Sequence, residues 1–207
     1  MYKSEKVWDG MSERYSRQSI SDEEAHKKII ENIKQYLNIG DVILDYACGT
    51  GTISIKLAEN VKQVQAIDIS SKMLDIASRK TQEKNIENIS YVQSTLFDKR
   101  LKDESFNIVI AFYILHLLDD TQEAVKRINE LLKPGGLFIS TTACMGEKNS
   151  FFRIFMLLLS KLGIVPYLKI LKYSELQETM IDANFQILDK EKLKHSDLEY
   201  YIVAKKL

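Results

Sequence analysis

Val42-Ile43-Leu44-Asp45-Tyr46-Ala47-Cys48-Gly49-Thr50-Gly51-Thr52-Ile53-Ser54 is the stretch that decides the fold. Its first residues are apolar and run into Asp45. Small residues follow at 47–51, and residues 52–59 put Ile53, Leu57 and Ala58 on one side of a helix. A short apolar run bounded by glycines reads as a buried parallel strand. A strand, a small-residue turn and a helix in that order build the crevice at the carboxyl end of an open α/β sheet, where ligands bind. Small residues let a ligand approach the backbone, and a helix N-terminus offers unpaired N–H groups. Gly-x-Gly alone is equally compatible with a tight turn that binds nothing.

Working outward, the same alternation continues in both directions. Upstream, Ser21 and Glu24 read as a capping box before Ile29, Ile30, Ile33, Tyr36 and Leu37 at helical spacing. Downstream, residues 64–69 predict a strand, 71–80 a helix, and 89–92 and 106–112 two more strands. Asp120 and Glu123 predict the start of a helix carrying Ala124, Val125, Ile128 and Leu131, with Pro134-Gly135-Gly136 as its stop and a strand at 137–142. Ser174 and Gln177 are expected to open a last helix, and Asn184 to take a left-handed conformation after it. Residues 187–188 and 200–204 read as strands with no helix between them, which favours an antiparallel pair. The pattern predicts the α/β class: a doubly wound sheet of seven strands, mostly parallel with an antiparallel C-terminal hairpin, helices on both faces, in one domain over residues 1–207.

Composition narrows the function classes. The chain has 207 residues, with 29 Lys plus Arg against 29 Asp plus Glu. Zero net charge lacks the basic footprint of a nucleic-acid binder. Two distant cysteines, Cys48 and Cys144, predict a reducing compartment rather than a disulfide. The opening Met1-Tyr2-Lys3-Ser4-Glu5-Lys6 is followed by no apolar stretch, so a cytoplasmic protein without a secretory signal is expected. Arg153, Ser160, Lys161, Gly163 and Pro166 interrupt the most apolar region, which excludes a spanning helix there. His26, His116 and His195 show no metal-ligand spacing, so no metal is expected. Four of only eight glycines fall at 49, 51, 135 and 136, which makes those turns informative.

Asp68 sharpens the reading of the glycine turn. It ends the second strand, a neighbour of the first in this topology, and a carboxylate there can accept both hydroxyls of a ribose. Its alternative role is to cap the helix beginning near Ser71. Two ribose-bearing ligands fit: a dinucleotide and S-adenosylmethionine. Ser54 stands where the dinucleotide fingerprint wants Gly or Ala. Asp45 would repel a pyrophosphate but attract an ammonium and a sulfonium, so electrostatics favours S-adenosylmethionine.

Leu44-Asp45-Tyr46-Ala47-Cys48-Gly49-Thr50-Gly51 resembles the first motif of class I S-adenosylmethionine-dependent methyltransferases. Ala66-Ile67-Asp68-Ile69 resembles their second-strand motif, residues 105–118 their fourth-strand segment, and Leu131-Leu132-Lys133-Pro134-Gly135-Gly136 the turn before the fifth strand. The similarity is to the small-molecule, Rossmann-like group that includes ubiquinone and menaquinone biosynthesis enzymes. It implies that Ala47, Cys48, Gly49, Thr50 and Gly51 line the methionine part of S-adenosylmethionine, with Asp45 near its amino group and Ala111 facing the same part. It implies Asp68 on the ribose, Ile69 on the adenine, and Met73 closing that pocket. Where the family often has Gly-Asp-Ala after the third strand, this chain has Ser94-Thr95-Leu96, so Thr95 and Leu96 take the adenine position.

The resemblance also implies methyl transfer to a small molecule, with S-adenosylhomocysteine as the other product. Residues 1–37 would form N-terminal helices closing over the cofactor, with Tyr15 over its carboxylate. Residues 143–173 would form a helical substrate lid, and Tyr113, Phe152 and Phe155 would meet an apolar or aromatic acceptor. The apolar character of that segment also fits contact with a partner or a bilayer surface. His116, just past the fourth strand, is the candidate general base, or else a packing residue of its loop. Ala111-Phe112-Tyr113-Ile114 lacks the proline pair of amide and nucleobase amino methyltransferases. A cofactor-binding protein without catalysis and a nicotinamide-dependent oxidoreductase are the competing readings.

Overall fold

In the computed structural model, which describes residues 2–21, 23–147, 151, 154, 157–158, 160, 167–193 and 198–207, the quoted stretch opens with strand β1, Val42–Tyr46. Ile43 and Leu44 are both fully buried, as expected of a parallel strand covered on each face. Seven strands form one sheet. They are β1, β2 (Gln63–Asp68), β3 (Ile89–Gln93), β4 (Phe106–Phe112), β5 (Leu132–Ala143), β6 (Phe185–Lys192) and β7 (Glu199–Lys206). The order across the sheet is β3-β2-β1-β4-β5-β7-β6. It is mostly parallel, with β7 antiparallel to both β5 and β6, which is the predicted class. The chain divides into two compact units, residues 1–100 with 106–108, and residues 101–105 with 109–207.

The first unit holds α1 (Tyr2–Ser21), α2 (Glu23–Lys34), β1, α3 (Thr52–Leu57), β2, α4 (Ser71–Glu83) and β3. β1 pairs in parallel with β2, Tyr46 opposite Ile67, so the carboxyl ends of the two strands lie side by side. Ile29, Ile30 and Ile33 of α2 are buried, as their spacing predicts. The Ser21–Glu24 capping pair lies outside the residues whose side chains are described. Helix α3 is shorter than expected and tightens into a 3-10 turn at Ala58–Asn60. Gly51 precedes it at φ 74°, and a Cβ there would stand 2.7 Å from the Tyr91 hydroxyl and 2.9 Å from the Ala77 Cβ. That glycine is required for packing as well as for conformation.

In the second unit, α5 (Thr121–Leu131) starts as read: the Asp120 carboxylate accepts from the Glu123 N–H at 2.8 Å. The helix ends at Leu131, before the Pro-Gly-Gly turn. Leu132 is already extended, and a residue before proline, here Lys133, is pushed to the same region. Helix α6 (Tyr173–Asp182) corrects the expected start. Its N-cap is Lys172, whose N–H donates to the Glu175 carboxylate at 3.0 Å, while the Tyr173 N–H donates to Glu147 at 3.1 Å. Acidic groups thus serve the helix N-terminus that Ser174 was expected to cap. Asn184 has φ 64°, the predicted left-handed position. β6 and β7 extend well beyond the predicted residues, with a register shift between Ile187 and Asp189.

Gly51→Ala should destabilise the fold by about 2–4 kcal/mol, from the left-handed backbone plus the clash with Ala77 and Tyr91. Urea unfolding checks it. The smaller pairing Gly51→Ala with Tyr91→Phe should recover part of the loss.

Candidate cofactor site

β1 ends because Ala47 turns left-handed, at φ 59°, followed by Gly49 at 54°. The Cys48 N–H donates to the Ile67 carbonyl at 3.1 Å, keeping the loop in line with β2. The Gly49 N–H then donates to Asp68 Oδ2 at 2.9 Å, and the Ser70 N–H donates to Asp68 Oδ1 at 2.8 Å. One carboxylate therefore holds the small-residue loop and the turn into α4. Asp68 is not the helix cap; the Ser70 hydroxyl does that, accepting from the Met73 N–H at 3.1 Å. Each Asp68 oxygen accepts one of these bonds and has a second acceptor position.

Asp45 is buried, and its carboxylate accepts from the Ser54 hydroxyl. This explains Ser54 at a place where a dinucleotide site wants a smaller residue. Burial, aided by the negative charge of Asp68, raises Asp45 to about 6. Burial also raises Asp68, against the bonds it accepts from backbone N–H groups. Burial and these two carboxylates push the Cys48 thiol well up, so Cys48 is no nucleophile. Among the described residues no ammonium or guanidinium bonds to either carboxylate; Lys80 reaches the loop but donates to Thr50 Oγ1 at 3.2 Å. A buried pair of carboxylates without a cation is an electrostatic demand for a positively charged ligand.

Helix α1 lies over this corner. A Cβ at Gly49 would stand 3.3 Å from the Tyr15 ring, which meets Trp8 edge-on at 6.4 Å. Asp9 Oδ1 accepts from the Ser70 hydroxyl at 2.6 Å and from the Lys72 N–H at 3.3 Å. Gln93 donates to Glu5 and to the Ile69 carbonyl, both at 3.0 Å. Asp9 and Gln93 escaped the sequence reading because their partners are distant in sequence and no local pattern marks them. Ile69 is half-buried and Met73 is buried. Thr95 is half-buried in the turn after β3, its carbonyl accepting from the Asp98 N–H at 3.2 Å, while the Leu96 side chain is fully buried. Asp98, a few residues on, is held by Arg100 and Ser94, whose hydrogen bonds lower it well below the usual carboxylate range.

In the second unit, Ala111 is fully buried near the end of β4. Tyr113 follows at φ 56°, its N–H donating to the Thr141 carbonyl at 2.8 Å and its hydroxyl to Glu199 at 2.9 Å. His116 lies in a 3-10 turn, Leu115–Leu117, with its Nδ1 buried and without a hydrogen-bond partner among the described residues. Burial lowers it to about 4, so the imidazole is neutral at pH 7. Phe152 and Phe155 lie outside the described residues. Among the described residues no group of three or more His, Cys, Asp or Glu could hold a metal ion.

Comparison with known proteins follows the same line. The family model for a methyltransferase domain matches residues 37–180. Demethylmenaquinone methyltransferase of Staphylococcus epidermidis is 28% identical over 194 residues, 91% of this chain and 80% of that protein. Ubiquinone biosynthesis O-methyltransferase of Rickettsia typhi is 32% identical over 168 residues, 77% of this chain and 66% of that protein. The fold is similar to geranyl diphosphate C-methyltransferase of Streptomyces coelicolor, solved with Mg2+, geranyl diphosphate and S-adenosyl-L-homocysteine. That likeness has a TM-score of 0.74 at 14% identity, over 88% of this chain and 79% of that one. The chain belongs to the methyltransferase family, as a class I S-adenosylmethionine-dependent methyltransferase similar to the ubiquinone and menaquinone biosynthesis group.

The burial of Asp45 carries a stability signature. Its folded pKa lies above the unfolded carboxylate value, so the unliganded fold loses stability as pH rises from about 4 to about 6, by roughly 3 kcal/mol at most. Asp45→Asn keeps an acceptor for Ser54 and removes that charge. It should raise the denaturation midpoint at pH 7 and leave it nearly unchanged at pH 4.

Proposed function

We propose that this methyltransferase moves the methyl group of S-adenosylmethionine onto a small apolar or aromatic acceptor. The observation that carries the cofactor half is the pair of buried carboxylates joined at one small-residue loop. S-adenosylmethionine supplies, when bound, a methyl group on a sulfonium that leaves readily. The chain's residues hold it: Asp68 takes the ribose hydroxyls with the acceptor positions its backbone bonds leave over. Asp45 faces the ammonium, Ala47 to Gly51 admit the methionine chain, and Ile69, Met73, Thr95 and Leu96 border the adenine. Tyr15 on α1 covers the loop and keeps water out. The cationic charge relieves the repulsion between Asp45 and Asp68, which a pyrophosphate would worsen.

For the acceptor, Ala111, Tyr113 and His116 are the candidates in the second unit, with Phe152 and Phe155 by resemblance. Methyl transfer by in-line displacement needs mainly alignment and exclusion of water. A proton must leave only if the acceptor is a hydroxyl or an amine. The neutral His116 Nδ1, buried and without a hydrogen-bond partner among the described residues, can accept a hydrogen bond from such a group and orient it. The names of the two relatives, one for demethylmenaquinone and one for ubiquinone biosynthesis, support a quinone-like ring as the class to test first.

Asp68→Ala should weaken S-adenosylmethionine binding by about 2–4 kcal/mol in calorimetry, through lost charge-assisted hydrogen bonds. His116→Gln should keep that affinity and lower turnover of a hydroxylated acceptor in a labelled-methyl assay. Unchanged binding in the first variant would remove the proposed ribose contact. Affinity for S-adenosylmethionine should also fall by up to about tenfold per pH unit below about 6 in the natural chain, because binding favours ionised Asp45, and that slope should vanish in Asp45→Asn.

A further inference from the structure

Helix α1 sends one carboxylate into the start of α4. Asp9 is half-buried, and its Oδ1 accepts from the Ser70 hydroxyl at 2.6 Å and from the Lys72 N–H at 3.3 Å. Ser70 is fully buried, and every polar group it has is engaged. Its N–H donates to Asp68 Oδ1 at 2.8 Å, and its carbonyl accepts from the Leu74 N–H at 3.2 Å. Its hydroxyl oxygen accepts from the Met73 N–H at 3.1 Å. A hydroxyl has a single proton, and a carboxylate only accepts, so that proton goes to Asp9. A continuous line of hydrogen bonds thus runs from α1 through Ser70 to Asp68, all within the first unit.

Two roles for Asp9 can be separated. One is charge. Burial is the main cause that raises Asp68, and the negative charge of Asp9 adds to it, so charge at this place works against an ionised Asp68. The other is geometry. The Asp68 carboxylate is oriented by the Gly49 N–H on one oxygen and the Ser70 N–H on the other. Asp9 fixes the Ser70 end of that clamp. Fastening α1 does not fall to Asp9 alone: Glu5 accepts from Gln93 at 3.0 Å, and Tyr15 lies against Gly49. Geometry therefore outweighs both charge and helix docking as the part Asp9 plays.

We propose that Asp9 is a positioning residue for the cofactor: it holds Ser70 so that the Asp68 carboxylate keeps its orientation and its second acceptor positions for the ribose. Without Asp9, the proton of a buried hydroxyl needs another acceptor. Asp68, already bonded to the Ser70 N–H, is the next carboxylate along the line, and a bond from the hydroxyl would occupy a position that a ribose hydroxyl uses. The inference rests on the reading of Asp68 as the ribose ligand and adds to it a residue 59 positions upstream on another helix.

Calorimetry tests it with two probes, S-adenosylmethionine and 5′-methylthioadenosine, which carries the ribose and adenine without the amino-acid end. Asp9→Asn keeps an acceptor oxygen of the same reach and should bind both within about twofold of the natural chain. Asp9→Ala removes the acceptor, and Asp9→Glu displaces it by one methylene; each should weaken both probes about five- to tenfold. In an Asp68→Ala background the further change Asp9→Ala should cost less than about twofold, because Asp9 acts through Asp68. If Asp9→Ala does not fold, the contrast between Asn and Glu still decides between geometry and charge. Equal loss in Asn and Ala, undiminished binding in both Ala and Glu, loss confined to S-adenosylmethionine, or full additivity with Asp68→Ala would overturn the inference alone. Undiminished binding in Asp68→Ala itself would overturn the ribose reading and this inference with it.

Discussion

The hydrogen bonds from Gly49 and Ser70 to the Asp68 carboxylate are the constraint on which the cofactor corner depends. They join the end of β1, the end of β2 and the start of α4 through a single side chain. The parallel register, Tyr46 opposite Ile67, brings these ends together, and the left-handed Ala47 and Gly49 let the loop fold back onto the carboxylate. Without that acceptor, two backbone N–H groups in a part-buried turn would need other partners.

Holding a carboxylate so deeply has an electrostatic consequence. Asp45 is buried nearby, and its burial and the negative charge of Asp68 disfavour its ionisation. A structure selected for stability alone would replace one of them with a neutral group. A ligand carrying an ammonium and a sulfonium turns the same repulsion into attraction. Two buried carboxylates at one loop are thus a departure from ordinary burial chemistry.

Helix α1 belongs to the same corner. Asp9 adds a second acceptor at the N-terminus of α4 beside the Ser70 cap, and Tyr15 lies against the loop. These contacts explain why a helix with little apolar character of its own is held in place: its anchoring groups are polar and lie on the rim of the site. In the second unit the neutral His116 has a buried Nδ1 without a hydrogen-bond partner among the described residues, where a core would normally satisfy it.

Strand and helix periods, the Asp120 cap, the left-handed Asn184 and the glycine turn were legible in residue order, because each depends on neighbours a few positions away. The strongest strand signal, Phe106–Phe112, matches the observed β4 residue for residue. Local chemistry makes Ser174 a good cap, but the observed start of α6 lies earlier because Glu147 reaches the helix from another segment. Likewise Asp68 was legible as either a ribose ligand or a cap, and only the observed Ser70 bond removes the second role. The order of residues by itself determined the alternating class, the small-residue turn and the family resemblance, since these rest on local period and spacing. Tertiary structure alone decided that Asp9 meets Ser70, that Tyr91 and Ala77 forbid a side chain at Gly51, and that Asp45 bonds to no cation among the described residues. Those facts arise between residues far apart in the chain, where only packing sets the distance.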